Sequence, residues 1–153
     1  MDEVPPGFQR HFRKSPVTDP WEPIYSCSEA DNVIIGVRLA LQHCNSRGLV
    51  HGGVLAALAD NAMGLTVVRH ARARTDPDAR SASAMTISLG VDYAAPAQPG
   101  QWLQVTPRII HLTRTMGFAD ALLSADGATI ARANATFRLG GQSDARKTDE
   151  RPD

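Results

Sequence analysis

The most apolar stretch of the chain, from Gly52 to Val68, carries a carboxylate at its centre, Asp60. An ionised carboxylate among apolar side chains is costly unless it is paired or hydrogen-bonded. No Lys or Arg adjoins Asp60 on its own helix face, so it is expected either to have a raised pKa or to face a polar cavity, both common at functional sites. An aspartate bonded structurally to a neighbouring subunit would satisfy the burial argument equally well. Nine residues before Asp60 stands His51, followed by Gly52 and Gly53. Two glycines allow tight packing and leave their N–H groups uncovered. At a helix N-terminus those donors, with the helix dipole, suit a carbonyl oxygen that gains negative charge. Alone, His-Gly-Gly is an ordinary turn sequence; the carboxylate further along the same helix is what points to chemistry.

Other chemistries find less support. The histidines, His11, His43, His51, His70 and His111, form no metal-ligand spacing, and no Gly-x-Ser-x-Gly elbow is present. The sequence thus calls for no metal and no cofactor. Cys27 and Cys44 read as two ordinary thiols. Cys44 adjoins His43, but on a strand neighbouring side chains point to opposite faces, which disfavours a nucleophile pair. Acidic and basic residues balance at 16 each, which argues against nucleic acid or an anionic membrane as partner. Arg72, Arg74, Arg80 and Arg114 fall in expected loops and are positioned to meet phosphates, although such side chains are usually just solvated.

The positioning elements follow from periodicity and turn residues. With 42% hydrophobic residues in 153, one packed domain is expected. Residues 1–23 read as a loose arm anchored by Phe8, Phe12 and Trp21 and lack the apolar run of a signal peptide. From Pro23 the chain becomes strand-like, and Ile35, Val37, Leu39 and Leu41 alternate with Ile34, Gly36, Arg38 and Ala40. Asn45-Ser46-Arg47-Gly48 forms a turn. A helix is expected over about 52–70, then a charged loop over 71–80. Met85, Ile87, Leu89, Val91 and Tyr93 alternate with Thr86, Ser88, Gly90 and Asp92, indicating a strand. Further strands are expected at 102–113, 116–124 and 129–139, the last two joined by an Asp126-Gly127 hairpin. The tail, 140–153, is polar and expected to be disordered.

The fold class is therefore α+β, with about five to six antiparallel strands wrapped around one helix. Projected at about 100° per residue, Leu55, Leu58, Ala62 and Leu65 lie opposite Asp60 and are expected to fill the core. The Asp60 face carries Gly53, Ala56, Ala57, Met63, Gly64 and Val67, so a ligand or another backbone can approach closely. Gly64 costs about 1 kcal/mol of helix propensity relative to Ala, which suggests that space is needed there. The same projection turns the His51 side chain away from Asp60, leaving the backbone after it as the carbonyl-binding group. Asp60 and Asn61 within the apolar run disfavour a membrane span, so a soluble, cytoplasmic protein is expected.

The segment from Asn45 to Gly64, NSRGLVHGGVLAALADNAMG, resembles the signature of the hotdog-fold thioesterases, closest to the phenylacetate-pathway (PaaI-type) branch. It has an Asn six residues before the His, the His-Gly-Gly, a six-residue apolar spacer and the Asp. TISLGVDYAAPA, from Thr86 to Ala97, and ADGATIARANATFRL near the end resemble later family segments, so the likeness spans about residues 24–139. The resemblance implies dimers that assemble further into tetramers, with each active site at the dimer interface. The glycine N–H would come from one subunit and the carboxylate from the other. Gly52 N–H would polarise the thioester carbonyl, His51 would shape the turn and contact the thioester as one of the catalytic residues, and Asn45 would position water or thioester. Asp60 would be nucleophile or general base, with Thr86 placed to hold the attacking water. Gly53, Ala57, Gly64 and Arg114 would meet the substrate, an acyl-CoA of aryl, phenylacetyl or medium-length type. Two alternatives share the fold: proofreading of acyl-carrier-protein thioesters, and a non-catalytic acyl-CoA-binding module.

Overall fold

The computed structural model describes residues 4–74 and 82–140. Seven strands form one antiparallel sheet: β1 (Gln9–Arg10), β2 (Ile24–Glu29), β3 (Asn32–Arg38), β4 (Ser83–Tyr93), β5 (Trp102–Leu112), β6 (Met116–Ala125) and β7 (Ala128–Gly140). Their order across the sheet is β1-β2-β3-β5-β6-β7-β4. The helix α1 (Gly52–Arg74) packs across the inner face. This is the expected wrapped arrangement, with more strands than expected because the arm contributes β1 and residues 24–38 fold into a hairpin. Arg80 and the tail from residue 141 lie outside the described residues.

The sheet can close around a helix because its inner face is lined by small side chains. Along β6 and β7, Ala119, Ala121, Ala125, Ala131, Ala133 and Ala135 are all buried, alternating with more exposed positions. Alanines at these places bring the strand backbone close to α1. Leu58, Met63, Leu123 and Phe137, all fully buried, then fill the space between, as close-packed interiors require. The Asp126-Gly127 hairpin forms as expected, with both residues at positive φ (47° and 83°). The β2–β3 turn uses Ala30 and Asp31, also at positive φ (45° and 65°). That is the two-residue geometry matching strand twist, reached here without a glycine.

Three expectations are corrected. The third strand stops at Arg38, and Leu41 lies in a short 3₁₀ turn over Leu41–His43, 78% exposed. The strand that remains is buried on both faces because the arm covers its outer side. There Phe8 meets Trp102 edge-on at 5.2 Å between ring centroids, while Phe12 is exposed and packs on its chain neighbour His11, 4.8 Å between ring centroids. Finally, α1 runs beyond His70, so Arg72 and Arg74 are helical rather than in a loop.

The rotation of α1 also differs from the projection. Met63 and Val67, expected beside Asp60 on the open face, are fully buried. Leu65, expected in the core, is half-buried and lines a cavity with Asp60. The open stripe is Ala57, Asp60, Asn61, Gly64, Leu65 and Val68, an i, i+3, i+4 series in which Asp60 stands near one edge. The carboxylate is placed by the sheet beside it rather than by the centre of an amphipathic face.

Gly36 reports how tightly the arm is seated. A Cβ added there would lie 2.2 Å from Trp102 Cζ2 and 2.8 Å from Phe8 Cε1. Gly36→Ala should therefore lower unfolding stability by about 1–3 kcal/mol, as overpacking does. Urea denaturation checks this, and an unchanged midpoint would contradict the packing described.

Candidate active site

The start of α1 is fixed by its own histidine. His51 N–H donates to His43 O at 2.8 Å, and its Nδ1 accepts from Gly53 N–H at 2.8 Å. His51 is thus the N-cap of the helix, satisfying the donor of its second residue. Val54 N–H and Leu55 N–H donate back to His51 O. Gly52 N–H has no acceptor among the described residues. Of the two glycine donors expected from sequence, one is consumed by the imidazole and one points free at the positive end of the helix. Tyr93 reaches over this end, its hydroxyl donating to Gly52 O at 2.7 Å. A side chain at Gly52 would press on that ring, the nearest atoms being 3.0–3.2 Å away.

Asn45 holds the preceding loop. Its Oδ1 accepts from Arg47 N–H at 2.9 Å and Leu49 N–H at 3.3 Å, and its own N–H donates to Leu49 O. That is the Asx geometry that nucleates turns, so the side-chain oxygen is committed to shaping the approach to His51.

Further along α1, Asp60 is half-buried, and its Oδ1 accepts a 2.8 Å hydrogen bond from Thr86 Oγ1 on β4. The contact depends on an irregularity. Thr86 pairs with Phe137 and Ser88 with Thr136, so Ile87 is an extra residue, a β-bulge. Strict alternation would turn Thr86 and Tyr93 to opposite faces. With one residue inserted between them, both reach α1, Thr86 at Asp60 and Tyr93 at Gly52.

Asp60, Thr86, Ala57 and Gly64 line one cavity of about 610 Å³, bounded also by Leu65, Val68, Phe137 and, from the arm, Arg13, Ser15, Val17 and Thr18. Asp60 therefore faces a cavity of mixed lining, polar at Arg13, Ser15 and Thr86 and apolar at Leu65, Val68 and Phe137. Gly64 lets the Phe137 ring approach, since an added Cβ would sit 3.3 Å from Phe137 Cε1. Arg114 lies in the exposed β5–β6 turn and does not line this cavity. Gly52 and Asp60 are eight residues apart on one helix, about 12 Å along its axis. Sequence reasoning missed Tyr93, which looked like one more alternating strand residue, and the arm residues, which carry no local signal of their destination.

This chemistry has known counterparts. Residues 47–132, more than half of the chain, match the family pattern of the thioesterase superfamily. The chain belongs to the thioesterase superfamily. A Pseudomonas aeruginosa protein, named provisionally as an esterase, is 34% identical over 91% of this chain and 99% of its own length. Acyl-coenzyme A thioesterase 13 of Mus musculus is 25% identical, over 88% of this chain and 86% of its own. The Escherichia coli PaaI protein from the phenylacetic acid degradation operon shares the fold. Its TM-score is 0.70 at 20% identity, covering 83% of this chain and 86% of that one. The thioesterase is therefore a hotdog-fold hydrolase, and the resemblance read from the helix signature holds. No helix among its described residues is long and apolar enough to cross a membrane.

The capping role of His51 is separable from chemistry. His51→Ala should cost about 0.5–2 kcal/mol of stability, as N-cap losses do, while lowering kcat less than fivefold. Thermal denaturation and steady-state turnover measured together test this. A collapse of kcat with unchanged stability would make the imidazole a reacting group instead.

Proposed function

We propose that the thioesterase hydrolyses acyl-CoA thioesters with Asp60 as general base, at a site completed by the helix N-terminus of a second copy. The observation that carries this reading is the Thr86–Asp60 hydrogen bond at the wall of the cavity. It commits Oδ1 to Thr86 and leaves Oδ2 for water. Water attacks the thioester carbonyl carbon and passes a proton to Asp60. The carbonyl oxygen takes up negative charge and is held by Gly52 N–H and the helix dipole, a contribution of about 3–4 kcal/mol. The tetrahedral intermediate then expels the thiolate, which takes the proton back from Asp60. A thiolate leaves readily, so no strong acid and no metal is needed in this scheme.

Two features support a second copy. A donor and a base serving one carbonyl must both lie within about 3 Å of reacting atoms, whereas in one chain they stand about 12 Å apart. In addition, β4 ends the sheet, with no strand beyond it among the described residues. It is 11 residues long and exposes Met85 (65%), Ile87 (56%), Leu89 (38%) and Tyr93 (53%). A long apolar edge strand left bare is an aggregation template, and pairing β4 with its counterpart would cover it. The two helices would then lie side by side, bringing one N-terminus to the other's Asp60. Further pairing into tetramers would use the outer sheet face, where Ile110 and Leu122 are the exposed large apolar side chains.

The coenzyme A preference rests on the named mouse relative, and the apolar walls from Leu65, Val68 and Phe137 suit an aryl or medium-length acyl group. A thiol-release assay on an acyl-CoA panel tests the reading. Asp60→Asn should lower kcat by about 10²–10⁴-fold. Thr86→Val should cost about tenfold, the worth of one positioned hydrogen bond, and Thr86→Ser should keep most activity. Asp60→Asn within a few-fold of wild type would overturn the general-base role. Acyl-CoA binding without hydrolysis by the wild type would make the chain a binding module.

A further inference from the structure

The N-terminal arm is clamped at both ends, and its middle lies on the cavity. At one end β1 pairs with β2, Gln9 opposite Ser26 and Arg10 opposite Tyr25, and His11 N–H donates to Ile24 O at 2.9 Å. At the other end Ser15 and Thr18 close a turn. Thr18 N–H and Asp19 N–H both donate to Ser15 O at 3.0 Å, the two hydroxyls lie 3.1 Å apart, and Thr18 is 3% exposed. The following 3₁₀ turn is held in turn by His43, whose Nε2 lies 3.2 Å from Trp21 O. His43 Nδ1 accepts from Ala40 N–H, so Nε2 carries the proton and donates. A segment fixed this way is a wall rather than a tail, and it faces the open stripe of α1.

The contents of that wall are unusual for the surroundings of an acyl group. Asp60, Arg13 and Arg72 are the ionisable side chains lining the cavity. Arg72 donates to Ala82 O. Arg13 has no hydrogen bond or ion pair among the described residues. Val17, two positions beyond Ser15, keeps its branched side chain 65% exposed on the cavity wall. An apolar acyl chain has no use for a guanidinium whose donors are uncommitted, whereas a phosphate or carboxylate accepts from it in a paired fork.

We infer that the arm is a substrate-binding element of this thioesterase, in which Arg13 binds an anionic group of the thioester substrate while Val17 supplies apolar contact beside it. The inference rests on the cavity being the substrate site, as the proposed function holds. Two parts of a thioester substrate present this chemistry, the phosphates of coenzyme A and a carboxylate on the acyl group. Arg13 acts on binding and touches neither the attacking water nor the thiolate, so its loss should appear in KM and not in kcat.

The test compares wild type with Arg13→Gln on three thioesters. The first is an acyl-CoA, the second the N-acetylcysteamine thioester of the same uncharged acyl group, and the third an N-acetylcysteamine thioester of a dicarboxylic acid. Arg13→Gln should raise KM about tenfold for the substrate bearing the recognised anion, the loss of one charge-assisted contact, with kcat within twofold. Arg13→Lys should recover part of the loss. An effect on the acyl-CoA alone assigns the contact to phosphate; an effect on the dicarboxylic thioester assigns it to the acyl carboxylate. Arg13 is exposed, so an unchanged melting temperature is expected as the folding control. Calorimetric binding of the same thioesters to Asp60→Asn protein, with and without Arg13→Gln, separates this inference from the hydrolytic one. Weaker binding with Arg13→Gln supports the inference even if the wild type hydrolyses nothing. KM and Kd unmoved within twofold on all three thioesters would overturn it.

Discussion

An α-helix advances about 1.5 Å per residue and cannot be shortened, and that constraint organises the rest of this molecule. Gly52 and Asp60 sit on one rigid rod, the free N–H at its first residue and the carboxylate eight residues on. No side-chain adjustment brings the two to one carbonyl. The separation leaves the positive end of the helix clear of its own carboxylate, where the proposed site would hold the carbonyl oxygen. The cost is that one chain holds half of each proposed site. The same chain also carries at β4 an apolar edge that no other strand covers among the described residues. Under the proposed function, association with a second copy along β4 would complete both the site and the sheet.

The β-bulge at Ile87 translates that geometry into contacts. Without it, β4 would offer α1 either Thr86 or Tyr93. With it, one strand touches the helix at both points: Thr86 donates to the carboxylate, and Tyr93 donates to the carbonyl of the residue whose N–H is free. A strand that buttresses both points makes the placement of each on its own chain depend on few soft torsions. The His51 cap adds to this. By consuming Gly53 N–H it leaves Gly52 N–H as the outward donor at the helix start, where the proposed site would hold the carbonyl oxygen.

Much of this was legible in the sequence because it is local. The Asp126-Gly127 turn, the start of α1 and the carboxylate within an apolar run are set by neighbours in the chain, and each appears where its residues indicate. What was illegible depends on distant partners. Ala30-Asp31 turns tightly without a glycine because the register of β2 on β3 demands it. The bulge at Ile87 is invisible to a period-two reading, since every residue around it still alternates in polarity. The projection of α1 took Asp60 as the centre of the open face. The alanine-lined sheet instead takes Met63 and Val67 and leaves Leu65 to the cavity. The arm, polar and irregular, gave no sign that it would wall the site.

The interfacial site is tested most directly by subunit complementation. Asp60→Ala removes the base from one chain. Gly52→Pro removes the donor from another, at the first helical position, where a missing N–H breaks no helical hydrogen bond; its ring presses on Tyr93, so the melting temperature of each variant serves as the folding control. Each variant alone should be inactive. Mixed in equal amounts and allowed to exchange, they should form dimers in which one of the two sites pairs an intact Gly52 with an intact Asp60. Activity should then return to about a quarter of wild type for a random twofold assembly. Activity that stays at background after heterodimers are shown to form would contradict the account.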